Sequence, residues 1–198
     1  KFKQITGTKY FNKILLGIKK ALECKLEIKI NVVLINPFSE KDLIEFSNFI
    51  EEYPVTVRFI ELMKTNDINN NFQEIYISHK IISNFLIKNE WNEEKRSLNS
   101  GPAIEYSKKN YNGKIGIIAP YSKGFCNSCN RLRISSIGEL YLCLFGESSH
   151  IYSLRPFLQT DNQIEEMIKF IGVKLKLKKY SHNLSYNNYG KIKQLSNI

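Results

Sequence analysis

Hydrophobic positions in the first third of the chain alternate between segments with helical spacing and continuous apolar runs typical of buried strands. Apolar side chains recur at helical spacing at five positions, Phe11, Ile14, Leu15, Ile18 and Leu22. Residues 28–35 are rich in β-branched side chains and predict a buried strand, which ends before Pro37.

A second helix and strand are predicted in the same order. Ser39 and Asp42 have the spacing of a capping box, and apolar residues then continue at helical spacing through Ile50. Residues 55–62 predict a second buried strand. Because helices and strands alternate, we predict an α/β fold with a parallel sheet and helices outside it. An open sheet and part of a barrel both satisfy this order.

The remainder of the chain has shorter predicted elements. Polar connections are predicted at 64–74 and 92–102, with a helix between them that begins near Ser78. Short strands are predicted at 104–106, 115–119, 132–135 and 140–145. A last helix is predicted at 161–177, and its apolar face would comprise Ile164, Met167, Ile168, Ile171 and Leu175.

The formal net charge of the 198-residue chain is +10, which favours a polyanionic partner such as nucleic acid, anionic lipid or a phosphorylated small molecule. The lysines are scattered among Asn and Ile, so the charge alone does not choose among these partners. The chain has no run of eighteen or more apolar residues and no signal-peptide core, so no membrane span is predicted. It begins with Lys1 rather than Met, and we expect a longer protein.

Three of the four cysteines lie close together in the sequence. Cys126 and Cys129 form a Cys-x-x-Cys pair, and Cys143 follows on a strand that can return as a hairpin with Gly138 at its turn. Three interpretations compete with ordinary buried cysteines. They are a zinc site completed by His150, a redox pair, and an iron–sulfur cluster with three cysteine ligands. Spacing alone slightly favours zinc.

Two arginines follow the Cys-x-x-Cys pair. Arg131 and Arg133 are two residues apart on a predicted strand, so we expect them on one face, next to the metal. Two guanidinium groups there would suit a phosphate or a nucleobase edge. The alternative is surface charge on an exposed strand.

Several motifs together resemble one known family. The stretch from Phe125 to Arg133, with the later Cys143-Leu144-Phe145-Gly146, resembles the C-terminal cluster motif of the GTP 3′,8-cyclases, the molybdenum cofactor biosynthesis protein A family. Further landmarks of that family occur in the same order. They are Lys29-Ile30-Asn31-Val32-Val33, Arg58-Phe59-Ile60-Glu61-Leu62-Met63, Gly101-Pro102-Ala103 and Gly116-Ile117-Ile118.

The resemblance implies a fold of two parts. Residues 1–65 would form the last βα units of an incomplete TIM-type (β/α) barrel of the radical S-adenosylmethionine enzymes. Residues 66–198 would form a small α+β domain that binds an iron–sulfur cluster.

The resemblance also implies roles for individual residues. Cys126, Cys129 and Cys143 would hold a [4Fe–4S] cluster whose open iron binds the guanine of GTP. Lys29, Arg58 and the segment Arg131, Leu132 and Arg133 would bind GTP, and Met63 would contact S-adenosylmethionine. No catalytic residue is assigned in this part of the family's chain.

The implied reaction cyclises GTP through a 5′-deoxyadenosyl radical that a second [4Fe–4S] cluster generates from S-adenosylmethionine. The Cys-x-x-x-Cys-x-x-Cys motif of that cluster is not in this sequence, so we expect the isolated chain to be inactive. The given sequence also ends where the family's Gly-Gly tail would follow. Full-length family members imply a homodimer, in the bacterial cytoplasm or, alternatively, in mitochondria.

Two other functions remain open on the sequence. A zinc-stabilised, basic nucleic-acid-binding module would use the charge, the Cys-x-x-Cys pair and the abundant Tyr and Phe. Against it, the basic residues are not concentrated in one patch, so nucleic acid is not the expected partner. The second is a remnant that folds without catalysis.

Overall fold

A computed structural model of the chain describes residues 2–64, 71–96, 100–126, 129, 131–143 and 151–178. These residues form two compact units. Unit 1 comprises Lys1–Leu62, Tyr76–Ser97 and Ala103–Ile118, and unit 2 comprises Met63–Ile75, Leu98–Pro102 and Ala119–Ile198. The α-helices are α1 Phe2–Thr6, α2 Phe11–Glu23, α3 Glu40–Glu52, α4 Phe72–Ile75, α5 Lys80–Lys88 and α6 Ile164–Leu175. The strands are β1 Ile28–Leu34, β2 Val55–Glu61, β3 Asn92–Glu93, β4 Ile104–Ser107, β5 Lys114–Ile118, β6 Arg133–Ile134, β7 Glu139–Tyr141 and β8 Ile151–Ser153.

Unit 1 is built on a five-stranded sheet with the order β1-β2-β5-β4-β3. The predicted parallel pairing of β1 with β2 is confirmed, and β5 also runs parallel to β2. The other two pairs are antiparallel, so the sheet is mixed. The short connection between β4 and β5 explains this, because only antiparallel neighbours can be joined by so few residues. The α/β class is therefore confirmed.

The predicted capping box starts α3. The backbone N–H of Ser39 donates to Oδ2 of Asp42 at 2.9 Å, which satisfies a donor at the helix start. The helix then packs against β2 and α5. Its apolar side buries Leu43 and Ile50 completely against one side of the sheet.

The core of unit 1 lies between this side of the sheet and the two helices. Its fully buried side chains are Leu34, Leu43, Ile50, Val55, Val57, Phe59, Ile82 and Ile115. A glycine brings β5 close to β2, because a Cβ at Gly113 would lie 2.3 Å from the carbonyl oxygen of Val55. Any side chain at Gly113 would therefore push β5 away from its neighbour.

Helix α2 forms as predicted, but its apolar stripe is not buried among the described residues. Phe11 and Ile14 are 46% and 47% exposed, and no residue of α2 falls in the buried class. The predicted helix is confirmed, and the other stripe residues, Leu15, Ile18 and Leu22, are half-buried.

Unit 2 contains an antiparallel sheet of order β6-β7-β8 with α6 beside it. Its core consists of Leu140, Leu142 and Leu154, against which Met167 and Phe170 of α6 pack. Ile164 and Ile168 of the predicted apolar face are instead exposed. The helix begins after a 3₁₀ turn at Asp161–Gln163, within the range predicted from the sequence.

Short elements occur inside the predicted connections. Helix α4 lies at the end of the range 64–74, and strand β3 begins the range 92–102. The predicted strand 140–145 ends at Tyr141, with 144–145 outside the described residues. The division into domains 1–65 and 66–198 stays a prediction. None of the helices in the described ranges has the length and apolar character needed to cross a membrane.

Candidate functional site

Cys126 and Cys129 stand on one turn of unit 2. The backbone N–H of Cys129 donates to the carbonyl oxygen of Cys126 at 3.1 Å, and both side chains are half-buried. This backbone bond closes the Cys-x-x-Cys segment, as two thiols that approach one metal centre require.

The hairpin that precedes Cys143 forms as predicted. Strands β6 and β7 pair antiparallel, and Gly138 at their turn has a φ of +77°, which glycine adopts without strain. Cys143 is half-buried and follows β7 by two residues. The hairpin therefore returns the chain towards the start of β6, which follows the Cys-x-x-Cys pair.

The three thiols are not gathered into a metal-binding group in this structure. None of the four cysteines is in a disulfide. In the described part of the chain, no three His, Cys, Asp or Glu side chains lie close enough together to hold a metal ion. The three-cysteine ligand set remains a prediction, and His150 of the zinc alternative lies outside the described residues.

A lysine three residues after α6 contacts the cysteine turn. The ammonium group of Lys178 donates to the carbonyl oxygens of Cys129 at 3.1 Å and Arg131 at 2.6 Å. It also lies 3.5 Å from Sγ of Cys129. One cation thus connects α6 with both main-chain carbonyls around the second cysteine. The sequence pattern held no signal for this contact, since Lys178 looks like one of several lysines in a basic segment.

The prediction that Arg131 and Arg133 lie on one strand is correct for Arg133 only. Strand β6 begins at Arg133, which is half-buried, while Arg131 precedes the strand and is exposed. The ladder with β7 ends at the pair of Arg133 with Tyr141, and Lys178 occupies the carbonyl of Arg131. The register of β6 with β7 therefore fixes the side of the sheet for Arg133 but not for Arg131.

Gly101 lies directly beneath the guanidinium group of Arg131. A Cβ at Gly101 would lie 2.8 Å from Nη2 of Arg131, closer than real contacts allow. The glycine of the Gly101-Pro102-Ala103 landmark therefore leaves room for this arginine. Leu132, between the two arginines, packs against the core of unit 2.

One side of the unit 1 sheet is polar over two rows of paired residues, and we call this region the polar face. The next row on the same side is apolar and contains Val33, Ile60 and Ile118. The polar face carries Lys29 and Asn31 of β1, Thr56 and Arg58 of β2, Lys114 and Gly116 of β5, and Glu105 and Ser107 of β4. The strand register places these residues in two rows across the sheet. Directly paired residues point to the same side of a sheet, whereas the apolar residues between them face the core.

Arg58 and Glu105 form an ion pair on the polar face. Nη2 of Arg58 lies 2.7 Å from Oε1 of Glu105, and both side chains are mostly buried. Gly116 separates them in the row, and a Cβ there would lie 2.9 Å from Cγ of Arg58. Nε of Arg58 is buried and has no hydrogen-bond partner among the described residues. The predicted GTP ligand is thus already held by a carboxylate.

Lys29 also has an acidic neighbour. Its ammonium group pairs with the carboxylate of Glu27, and the Lys29 side chain is 37% exposed. The hydrogen bond and charge of Lys29 lower the pKa of Glu27, and the charges of Arg58 and Lys114 lower it further. The positive charges of the polar face therefore act together at this position.

Met63 follows the end of β2 by two residues and is half-buried. In the next residue, the backbone N–H of Lys64 donates to the hydroxyl of Tyr121 at 3.0 Å. Met63 and Lys64 belong to unit 2, whereas β2 belongs to unit 1.

A buried carboxylate near this segment had no predicted role. Glu61 is 1% exposed, and its Oε1 accepts from the hydroxyl of Tyr76 at 2.5 Å and lies 3.3 Å from Nδ1 of His79. Its Oε2 has no hydrogen-bond partner among the described residues. An acidic residue at the end of a buried strand was the available sequence signal.

Comparison with known proteins gives consistent results. Residues 55–184 match the family described as Molybdenum Cofactor Synthesis C. A protein of Vibrio atlanticus named GTP 3′,8-cyclase is 42% identical over 198 residues, which are 100% of this chain and 59% of the relative. The GTP 3′,8-cyclase of Vibrio parahaemolyticus has the same identity and coverage. That of Synechococcus elongatus is 38% identical over 197 residues, 99% of this chain and 60% of the relative. The chain thus spans well under two thirds of the length of these relatives.

Proposed function

The chain belongs to the molybdenum cofactor synthesis C family, and we propose that it is the substrate-binding part of a GTP 3′,8-cyclase. The observation that carries this proposal is the similarity to enzymes of that name along essentially the whole chain. The proposed reaction converts GTP to (8S)-3′,8-cyclo-7,8-dihydroguanosine 5′-triphosphate in molybdenum cofactor biosynthesis. In this reaction S-adenosylmethionine would supply a 5′-deoxyadenosyl radical that removes the hydrogen atom from C3′ of the ribose, and C3′ would then bond to C8 of the guanine. The purine radical that results would take up one electron from a one-electron donor and one proton to give the dihydro product.

We assign the three cysteines of unit 2 to a [4Fe–4S] cluster. Cys126 and Cys129 share a turn and Cys143 follows the adjoining hairpin, which supports a common ligand set. Clusters usually take four cysteines, so a cluster held by three would keep one iron free for the guanine base. Zinc would accept the same thiols, and metal analysis separates the two.

We propose that four basic side chains bind the nucleotide. Arg131 and Arg133 follow the cysteine turn, and guanidinium groups bind phosphates and nucleobase edges through paired donors. The intervening Leu132 would contribute its main chain. On the polar face, Lys29 is partly exposed, and Arg58 of the neighbouring strand adds a second positive charge one row further along. These features support the predicted roles of both residues in binding GTP.

The remaining assignments rest on the family resemblance. Met63 would contact S-adenosylmethionine, and radical generation would need a second cluster on residues beyond these 198. Residues 1–65 would be the last units of an incomplete TIM-type barrel, a proposal that the parallel pairing of β1 and β2 supports. We further propose a homodimer of the full-length protein in the bacterial cytoplasm, in keeping with the bacterial sources of the relatives.

The first test is metal analysis of anaerobically purified protein. We expect about four irons and four sulfides per chain with broad visible absorbance, and loss of most of this in Cys143→Ser. Cys24→Ser is the matched control, because Cys24 is exposed and lies outside the proposed ligand set. About one zinc per chain without colour would instead support a structural zinc site and overturn the cluster assignment.

The second test is GTP binding to the same preparations by anaerobic calorimetry. Wild type should bind GTP, and Arg133→Ala should weaken binding strongly because it removes a charged donor beside the cysteines. Salt-sensitive binding of an oligonucleotide that GTP does not displace would favour the nucleic-acid module instead.

A further inference from the structure

The polar face carries a third cation besides Lys29 and Arg58. Lys114 opens β5 and stands in the same row as Lys29, with Thr56 of β2 between them. Paired residues project from the same side of a sheet, so the side chains of Lys29 and Lys114 both extend from the polar face. We infer that Lys114 is a further ligand of the GTP triphosphate, an inference that rests on the proposed function.

The spacing of the three cations suits a chain of phosphates. Lys29 and Lys114 are two strands apart, about 10 Å at the usual interstrand distance. Arg58 lies between them on β2, one row further along the strands. Lysine side chains are long and flexible, so both ammonium groups can converge on successive phosphates.

Each of these cations is paired with a carboxylate in this structure, and exposure decides which pairs can exchange. Nζ of Lys114 lies 3.7 Å from Oε1 of Glu94, with side-chain exposures of 42% and 40%. The pair of Lys29 with Glu27 is similarly exposed, at 37% and 74%. Exposed ion pairs are weak, and a triphosphate carries more charge than one carboxylate. Lys29 and Lys114 can therefore exchange a carboxylate for phosphate, while the more buried Arg58 keeps its bond to Glu105 and adds its positive charge to the same site.

The lowered pKa values of two neighbouring glutamates support a positive electrostatic potential that Lys29 and Lys114 both contribute to. A hydrogen bond from Ser107 and then the charge of Lys114 lower the pKa of Glu94. Lys114 also contributes to the lowered pKa of Glu27, which lies next to the other end of the row. An anion bound on this face would therefore interact with Lys114 as well as with Lys29.

The test compares GTP with guanosine in anaerobic calorimetry on the cluster-loaded protein. We expect Lys114→Gln to weaken GTP binding about tenfold, the effect of losing one charge-assisted hydrogen bond, and to leave guanosine binding unchanged. Lys114→Arg should retain most of the affinity. Lys109→Gln is the matched control, because Lys109 is an exposed lysine of the turn before β5. Glu94→Gln should tighten GTP binding, because it removes the competing carboxylate without touching the lysine.

The possible results distinguish a failure of the Lys114 assignment from a failure of the proposed GTP-binding function. If wild type binds no GTP, the proposed function is wrong and the inference falls with it. If Lys29→Gln weakens GTP binding while Lys114→Gln matches Lys109→Gln, only the inference is wrong. Equal losses for GTP and guanosine in Lys114→Gln would also overturn it, because a phosphate ligand does not act on the nucleoside.

Discussion

Arg58 and Glu105 join across an intervening strand, with Nη2 of the arginine 2.7 Å from Oε1 of the glutamate. The residue between them in the sheet row is Gly116, whose lack of a side chain leaves the path open. Gly116 and Glu105 in this row therefore set the position of Arg58, one of the predicted GTP ligands.

Gly116→Val should displace Arg58, because its Cβ would meet Cγ of the arginine near the rigid start of that side chain. We expect a loss of about 1–3 kcal/mol in the free energy of unfolding, as for other overpacked sites, together with weaker GTP binding. Urea unfolding and calorimetry measure the two effects. Gly17→Ala in α2 is the control, since no atom lies within 4 Å of its added Cβ, and it should be neutral or stabilising. Equal stability of Gly116→Val and wild type would contradict the close packing.

Glu105→Gln should destabilise unit 1, because it leaves a mostly buried guanidinium group without its counter-charge. We expect a loss of about 1–3 kcal/mol in the free energy of unfolding. Glu40→Gln provides the comparison, since its ion pair with Lys88 is exposed and should contribute about 0–1 kcal/mol. If the two variants lose the same free energy of unfolding in urea, burial does not increase the contribution of the Arg58–Glu105 ion pair to stability.

Lys178→Met should loosen the cysteine turn, because the carbonyl oxygens of Cys129 and Arg131 lose a charged donor while the aliphatic stem is kept. We expect faster release of iron to a chelator, and a loss of about 1–3 kcal/mol in the stability of the metal-free protein. Lys178→Arg should restore part of both. The neighbouring Lys176→Met is the control, because Lys176 is exposed. Unchanged iron release in Lys178→Met would show that the turn is held by other contacts.

Gly101→Ala should shift the guanidinium group of Arg131 away from its present position. The arginine tip is flexible, so we expect stability to change by less than about 1 kcal/mol while GTP binding weakens. Gly172→Ala in α6 is the control, because its added Cβ meets no atom within 4 Å. Wild-type GTP affinity in Gly101→Ala would indicate that the position of Arg131 does not matter for the nucleotide.

Local patterns predicted the regular elements of the chain well. The strands β1 and β2 follow from their β-branched residues, the start of α3 from Ser39 and Asp42, and the β6–β7 turn from Gly138. These features depend on neighbours in sequence, so periodicity and spacing suffice to find them. The predicted face of α6 was less accurate, because Ile164 and Ile168 are exposed while Phe170 packs inward.

Contacts between distant segments could not be read in the same way. The parallel pairing of β5 with β2 sets the row that holds Arg58, Gly116 and Glu105, and no local pattern encodes a strand register over that distance. The contacts of Lys178 with the cysteine turn are likewise 47 and 49 residues apart in the chain. Each of these contacts depends on a partner residue that comes close only when the chain has folded.

By itself, the sequence determined the α/β class, the Cys-x-x-Cys segment with its later third cysteine, and the resemblance that leads to a family. These depend on residue type and short spacing, which folding does not alter. Only the tertiary structure decided that the sheet is mixed, that Arg58 is held by Glu105, and that Lys114 shares a row with Lys29. The physical reason is that hydrogen bonds and ion pairs act over a few ångströms, and the chain reaches those distances only after its strands have paired.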